Sequence, residues 1–379
     1  MKIGSFRFNL QEFAGSFGNY GTLIPLLVGY IVVCGMDPAG ILIIFGLINI
    51  VTGLIFRLPL PLEPMKVLAV VAIASAWTPE MIYTSGIVTA AIWIFLGVTG
   101  LISYIDRLTP KSVVRGIQLS LGVFLAVKGF WMISSWWWIG LVAFAIVIIF
   151  RKNRYAPAAL ILIFLGIVIM GIQGELGQTL FNISFTFPVP QFTLFDFNLI
   201  RPVLMEGGLA QLPLTATNSI IATSALITDY WPKRRVTTRQ LAISVGFINA
   251  ASPIFGGFSL CHGAGGLAGR YYFGAKTGGA NIIEGTIELL LGLLLAGSIA
   301  AIFTAFPLAI VGAMMFLIGI ELTKFAKDLK FNEELLTALI TLLGAVLFNM
   351  AIGFVLGLAF HYSYKWIVKR RERMAASLK

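Results

Sequence analysis

Four stretches of this chain, Trp137–Phe150, Ala156–Gly171, Leu289–Phe303 and Leu335–Phe360, contain no charged residue. Alone or with their flanks they can cross a hydrocarbon core of roughly 30 Å. Backbone polar groups in such a core must pair internally, which leaves helices or a closed barrel. A barrel strand alternates apolar and polar residues, whereas these runs are continuously apolar, so the chain is read as helical. Only 11% of its residues are charged, against about 25% in soluble domains, which excludes a soluble enzyme.

Two interruptions stand out against this background. "FRLPLPLEPMKVLAV" (56–70) sets Glu63 and Lys66 beside three prolines, and "IFGGFSLCHGAGGLAG" (254–269) breaks a second apolar run with glycines. Aligned at an offset of 200, the two regions share Gly46/Gly246, Ile48/Ile248, Asn49/Asn249 and Leu60/Leu260. Interrupted segments at corresponding positions of two halves are the pattern of an inverted-repeat transporter.

The fold expected is an all-α polytopic membrane protein of fourteen segments. Their approximate spans are 10–34, 38–56, 64–76, 84–104, 112–128, 131–150, 155–172, 203–228, 237–254, 262–273, 280–303, 306–321, 333–348 and 350–367. Residues 1–172 form the first repeat of seven segments, 173–201 an external linker, and 202–379 the second repeat. Segments 3 and 10 are half-helices, each completed by an extended stretch. With both termini cytoplasmic, 24 of the 27 Lys and Arg residues fall at inner helix ends, as the positive-inside rule requires. That placement accounts for the basic excess without nucleic acid. The N-terminus shows no signal-peptide pattern, and the tryptophans between Trp131 and Trp138 suit an interfacial belt.

Cys34 and Cys261 are the only cysteines and His262 and His361 the only histidines. No disulfide framework, metal site or cofactor is therefore expected, and neither a Ser-His-Asp set nor a P-loop is found. The chain is read as a non-enzyme.

The charge at membrane depth makes Lys66 the leading candidate. Two half-helix N-termini, each carrying roughly half a positive charge, together with Lys66 make about +2, suited to an oxyanion. The first break contributes Glu63, Pro64, Met65 and Lys66. The second contributes Ser259, Cys261, His262, Gly263, Ala264 and Gly265, whose glycines let backbone approach an anion. Gln211, Thr215 and Asn218 share a helical face in "AQLPLTATNSIIATSALIT", and Asn19 and Thr22 occupy the corresponding first segment. Glu63 is either the partner of Lys66 or the carrier of a coupled proton. Glu284 and Glu288, four residues apart, mark either a proton path or, the reading preferred, polar helix contacts.

"LPLPLEPMKVLAVVA", "FGGFSLCHGAGGLAGRYYFGAKTGG", "AQLPLTATNSIIATSALITDYWP" and "EFAGSFGNYGTLIPL" resemble the signatures of the molybdate transporter family, a branch of the sulfate-permease superfamily. Nearly the whole chain is involved. The resemblance implies a core domain from segments 1–4 and 8–11 and a gate domain from segments 5–7 and 12–14. Substrate would lie between the half-helices in an elevator-like cycle. It also implies secondary import of molybdate, or of tungstate or sulfate, across the plasma membrane without a C-terminal cytoplasmic domain. Protons as coupling ion, contact with membrane lipid and a homodimer are further expectations. Where the family signature has Gln, this chain has Glu63. A nucleobase permease of the same fold and an anion channel are the alternatives.

Overall fold

The computed structural model of the protein describes residues 2–102, 104, 108–150, 158–174, 192–193, 195–305 and 307–377. Most of the linker expected at 173–201, and the basic cluster Arg151, Lys152 and Arg154, lie outside the described residues. A short N-terminal hairpin, β1 (Lys2–Ile3) with β2 (Phe6–Arg7), leads into the helices.

The first expected segment, 10–34, is not one helix. It breaks into α1 (Leu10–Ser16) and α2 (Tyr20–Val32). Gly18 lies in the break, where any Cβ would strike the Arg270 backbone nitrogen at 2.6 Å. Backbone-to-backbone packing therefore interrupts the helix, and Asn19 is left at its edge. Next comes α3 (Pro38–Phe56), started by the Asp37 side chain, which accepts from the N–H groups of Ala39 and Gly40, with proline at the first turn. It ends at Arg57 in a left-handed conformation (φ 56°), which turns the chain into the first break.

The short helix α4 (Lys66–Ser75) follows that break, and α5 (Pro79–Thr99) follows α4. The first half continues through α6 (Lys111–Ser134), α7 (Trp137–Phe150) and α8 (Ala158–Ile172). Residues 200–230 form one helical run, α9, whose turns widen to π geometry at Leu204–Gly208 and Thr215–Ile221. Then come α10 (Thr238–Ile254), opened by a Thr237–Gln240 capping box, and a second short helix, α11 (Ala264–Tyr272). The chain ends with α12 (Gly279–Ala305), α13 (Leu308–Thr323), α14 (Glu333–Leu347) and α15 (Met350–Ser377).

Among the described residues, five helices are individually long and apolar enough to cross a membrane: Pro38–Phe56, Pro79–Thr99, Lys111–Ser134, Gly279–Ile299 and Met350–Arg371. Their outer faces expose large apolar side chains such as Ile55, Phe130 and Val355, which fits lipid and not water. Where apolar attraction between helices is weak, close backbone approach substitutes for it. Gly46 meets Gly285 and Gly53 meets Gly278 along α3 and α12, while Gly129 meets Gly312 between α6 and α13. Gly97 and Gly246 hold α5 against α10 in the same way.

Candidate functional site

The two breaks meet at the centre of the molecule. Glu63–Pro64 (β3) pairs antiparallel with Leu260–Cys261 (β4), in register Glu63↔Cys261 and Pro64↔Leu260. Met65 adds an N–H bond of 2.9 Å to the Ser259 carbonyl. Extended backbone at this depth is thus satisfied by its counterpart from the other half. Two repeated residues explain themselves here. Asn249 clamps Leu260 through both its backbone groups, at 2.6 and 2.9 Å. Asn49 is linked to the Leu60 carbonyl through Asn281, whose amide donates to both.

The Glu63 carboxylate lies at the N-terminus of α11 and forms an ion pair with Lys66 Nζ at 3.2 Å. No donor is aligned with Glu63 Oε2 as a hydrogen bond, so this contact is electrostatic. A Cβ on Gly263 or Gly266 would collide with that carboxylate, so a side chain at either position would have to displace Glu63 from its present place. A Cβ on Gly265, in contrast, would meet nothing within 4 Å. It faces a cavity of about 500 Å³ lined by Asn19, Thr22, Glu63, Lys66, Gly265, Gly266, Ile318 and Lys324, among others. A larger groove of about 890 Å³ between α3 and α10 is lined mainly by apolar side chains of the outer surface. It is remote from the ion pair, and the smaller cavity holds the chemistry.

Several sequence candidates fall elsewhere. His262 is fully buried, with one ring nitrogen 3.1 Å from the Pro61 carbonyl and the other 3.0 Å from Ser244 Oγ. It therefore braces the first break from behind and does not face Lys66 across the cavity. Gln211 Oε1 accepts from the N–H groups of Val67 (2.8 Å) and Leu68 (3.3 Å), and its amide donates to Thr215 Oγ1 at 2.7 Å. It caps α4, so the exposed dipole end available to an anion is that of α11. Gln211 and Thr215 share a helical face as expected, but Asn218, inside the π turn at Thr215–Ile221, does not line the cavity. Ser259 Oγ contacts Ser85 Oγ at 2.9 Å. Pro64, Met65, Cys261, Gly263 and Ala264 are buried beneath the site.

Asn19 and Thr22, the weaker sequence candidates, do line the cavity, because the α1–α2 break turns them inward. Lys324 escaped sequence reasoning. It reads as one of many inner-end cations, and no local pattern marks it. Only the tertiary placement of the end of α13 on the same cavity as α4 and α11 brings it in.

Comparison with known proteins identifies the family and the fold. A model of the family described as "Molybdate transporter of MFS superfamily" matches residues 11–125 and 203–322. Molybdate transporter 1 of Arabidopsis thaliana is 31% identical over 401 residues, covering 93% of this chain and 87% of the relative. Molybdate transporter 2 of the same plant is 30% identical, over 94% of this chain and 87% of its own. Among solved structures, the murine Solute Carrier 26 family member A9 anion transporter superposes at a TM-score of 0.73 with 13% identity, covering 98% of this chain and 70% of that one. The transmembrane domain of the cyanobacterial bicarbonate transporter BicA gives 0.64 at 15% identity, over 92% and 97%. The fold is thus that of these anion transporters, whatever superfamily label the sequence family carries. By signature, fold and extended similarity, this integral membrane protein belongs to the molybdate transporter family and is a transporter, not an enzyme.

Proposed function

We propose that the chain is a secondary importer of a tetrahedral oxyanion, molybdate first, with tungstate and sulfate as rivals. The observation that carries this reading is the cavity lined by Lys66, Gly265 and Gly266, onto which Gly265 in the first turn of α11 opens freely. A helix N-terminus offers unpaired N–H groups, and Lys66 adds a full charge to them. Glu63 is the internal anion at this N-terminus. An entering oxyanion competes with it for Lys66, while Asn19, Thr22 and Lys324 supply further donors around the cavity.

The fourteen-segment, seven-plus-seven topology belongs to the same proposal. It is supported by contacts that occur in exchanged pairs. Segment 2 (α3) packs on segment 11 (α12), and their counterparts, segments 9 (α10) and 4 (α5), pack on each other. The cavity lies between the half-helices and α13, a core–gate boundary suited to elevator motion. With both termini cytoplasmic, Lys324 at the inner end of α13 makes the cavity open inward across the plasma membrane.

Uptake into proteoliposomes, with molybdate, tungstate, sulfate and uracil in competition, tests the reading. Molybdate accumulation above equilibrium, insensitive to uracil, is expected. Uptake of uracil alone, or flux that never exceeds equilibrium, overturns it.

A further inference from the structure

Two buried carboxylates on α12 lie outside the cavity and have only one cation between them. Glu284 and Glu288 are four residues apart on one face, and both are buried. Arg270 of α11 pairs through Nη2 with Glu284 Oε2. Glu284 Oε1 is buried and, among the described residues, has no hydrogen-bond partner. Glu288 receives only the Asn49 amide at 3.1 Å and the Tyr20 hydroxyl at 3.5 Å. Among the described residues, no cation contacts Glu288.

The other buried acids nearby are matched. Glu63 has Lys66. Glu12 accepts from the N–H groups of Lys276 and Thr277 and from the Thr277 hydroxyl. The elements packed on α12 bring no further cation to the pair. α2 presents Tyr20, α3 presents Asn49 and α11 presents Arg270, while Glu12 of α1 and Arg7 of β2 sit at the N-terminal end of α12.

Two ionised carboxylates against one guanidinium would leave an uncompensated charge where desolvation is severe. A single proton shared by the two carboxylates removes it. We propose that the Glu284–Glu288 pair holds one proton against Arg270, and that this is the proton co-transported with the oxyanion, an inference resting on the transport function above. The link to the cavity is short. Arg270 Nε and Nη2 each donate to Asn19 Oδ1 at 3.4 Å. Asn19 lines the cavity and donates to the Leu62 carbonyl at 3.1 Å, next to Glu63. Release of the proton to inner water gives the pair a second charge, which draws Arg270 from Asn19 and loosens the anion's donors. No bond is made or broken apart from that to the proton.

Infrared spectroscopy of the purified full chain, which reads protonation without substrate, separates this inference from the transport reading. Wild type at neutral pH should show a protonated-carboxyl band that disappears in Glu288→Gln and persists in Glu63→Gln. It should also disappear in Glu284→Gln, because Glu288 is then the sole carboxylate facing Arg270. This second variant keeps the test decisive if the first does not fold. In proteoliposomes, Glu288→Gln should lose proton-driven accumulation, falling to the equilibrium level. A wild type without the band, a band unchanged in both α12 variants, or accumulation driven by sodium with no response to a pH gradient overturns the proposal.

Discussion

Lys66 and Glu63 form one electrical unit, so their substitutions have opposite signs. Lys66→Ala removes the cavity's innermost cation and leaves Glu63 uncompensated. Breaking such a partly buried pair costs roughly 3–5 kcal/mol, so oxyanion affinity should fall at least about 100-fold. Isothermal titration with molybdate checks this, and retained affinity would make Lys66 structural. Glu63→Gln removes the competing internal anion and restores the residue of the family signature, so binding should tighten. The glycines discriminate further. Gly265→Ala adds a methyl into open cavity, and it should weaken molybdate binding while the melting temperature stays within a degree or two. Gly266→Ala drives a methyl into the Glu63 carboxylate and should lower both.

Helix N-termini expose unpaired N–H groups, and those of the short helices α4 and α11 are treated differently. Gln211 caps α4 with its side-chain oxygen, whereas α11 has no side-chain cap. Gln211→Leu should therefore destabilise the protein by about 1–2 kcal/mol, as loss of a helix cap does. Its effect on molybdate affinity should be smaller than that of Lys66→Ala. Thermal unfolding in detergent beside a binding isotherm separates the two effects. The two breaks and their extended stretches were legible as interruptions of apolar runs. Which N-terminus stays open was not, because Gln211 lies 144 positions from Val67 and nothing local announces their meeting. The π turns of α9 were equally hidden, since their residues carry an ordinary helical pattern.

At the scale of the molecule, α6 is tied to the segment after α13 by an ionic cluster outside the membrane. Arg115 grips Asp328 with two nitrogens at 3.0 and 2.7 Å, and Lys111 adds a contact at 2.8 Å. Hydrogen bonding by Arg115 holds the Asp328 carboxyl down at about 2, against an ordinary 3.8. A depressed acid stabilises the fold above its unfolded value and loses that contribution as pH falls through the folded one. The window is therefore about pH 4 to 2. Asp328 is well exposed, so solvent screening keeps the effect small. Asp328→Asn should lower the melting temperature slightly at pH 7 and flatten its fall between pH 4 and 2. Equal slopes for both proteins would leave the cluster without a role. Relative motion of the half-helices against α13 should also be needed for transport. A cross-linker joining cysteines placed at Thr22 and Leu322, both lining the cavity, should stop uptake, and reduction should restore it.

Sequence alone determined the solvent, the helical class and the two places where the chain must be irregular. Those follow from local composition, because hydrocarbon penalises every charge and every unpaired peptide group wherever it falls. It also singled out Lys66 and Glu63, since a charge in an apolar run needs a reason. Tertiary structure decided which candidates share a space. It turned His262 and Gln211 into braces, brought Asn19 and Lys324 to the cavity and set Glu63 on the open end of α11. These outcomes depend on contacts between residues tens to hundreds of positions apart. Such contacts are fixed by how glycine-faced helices pack across the two halves, and no window of the chain contains that information.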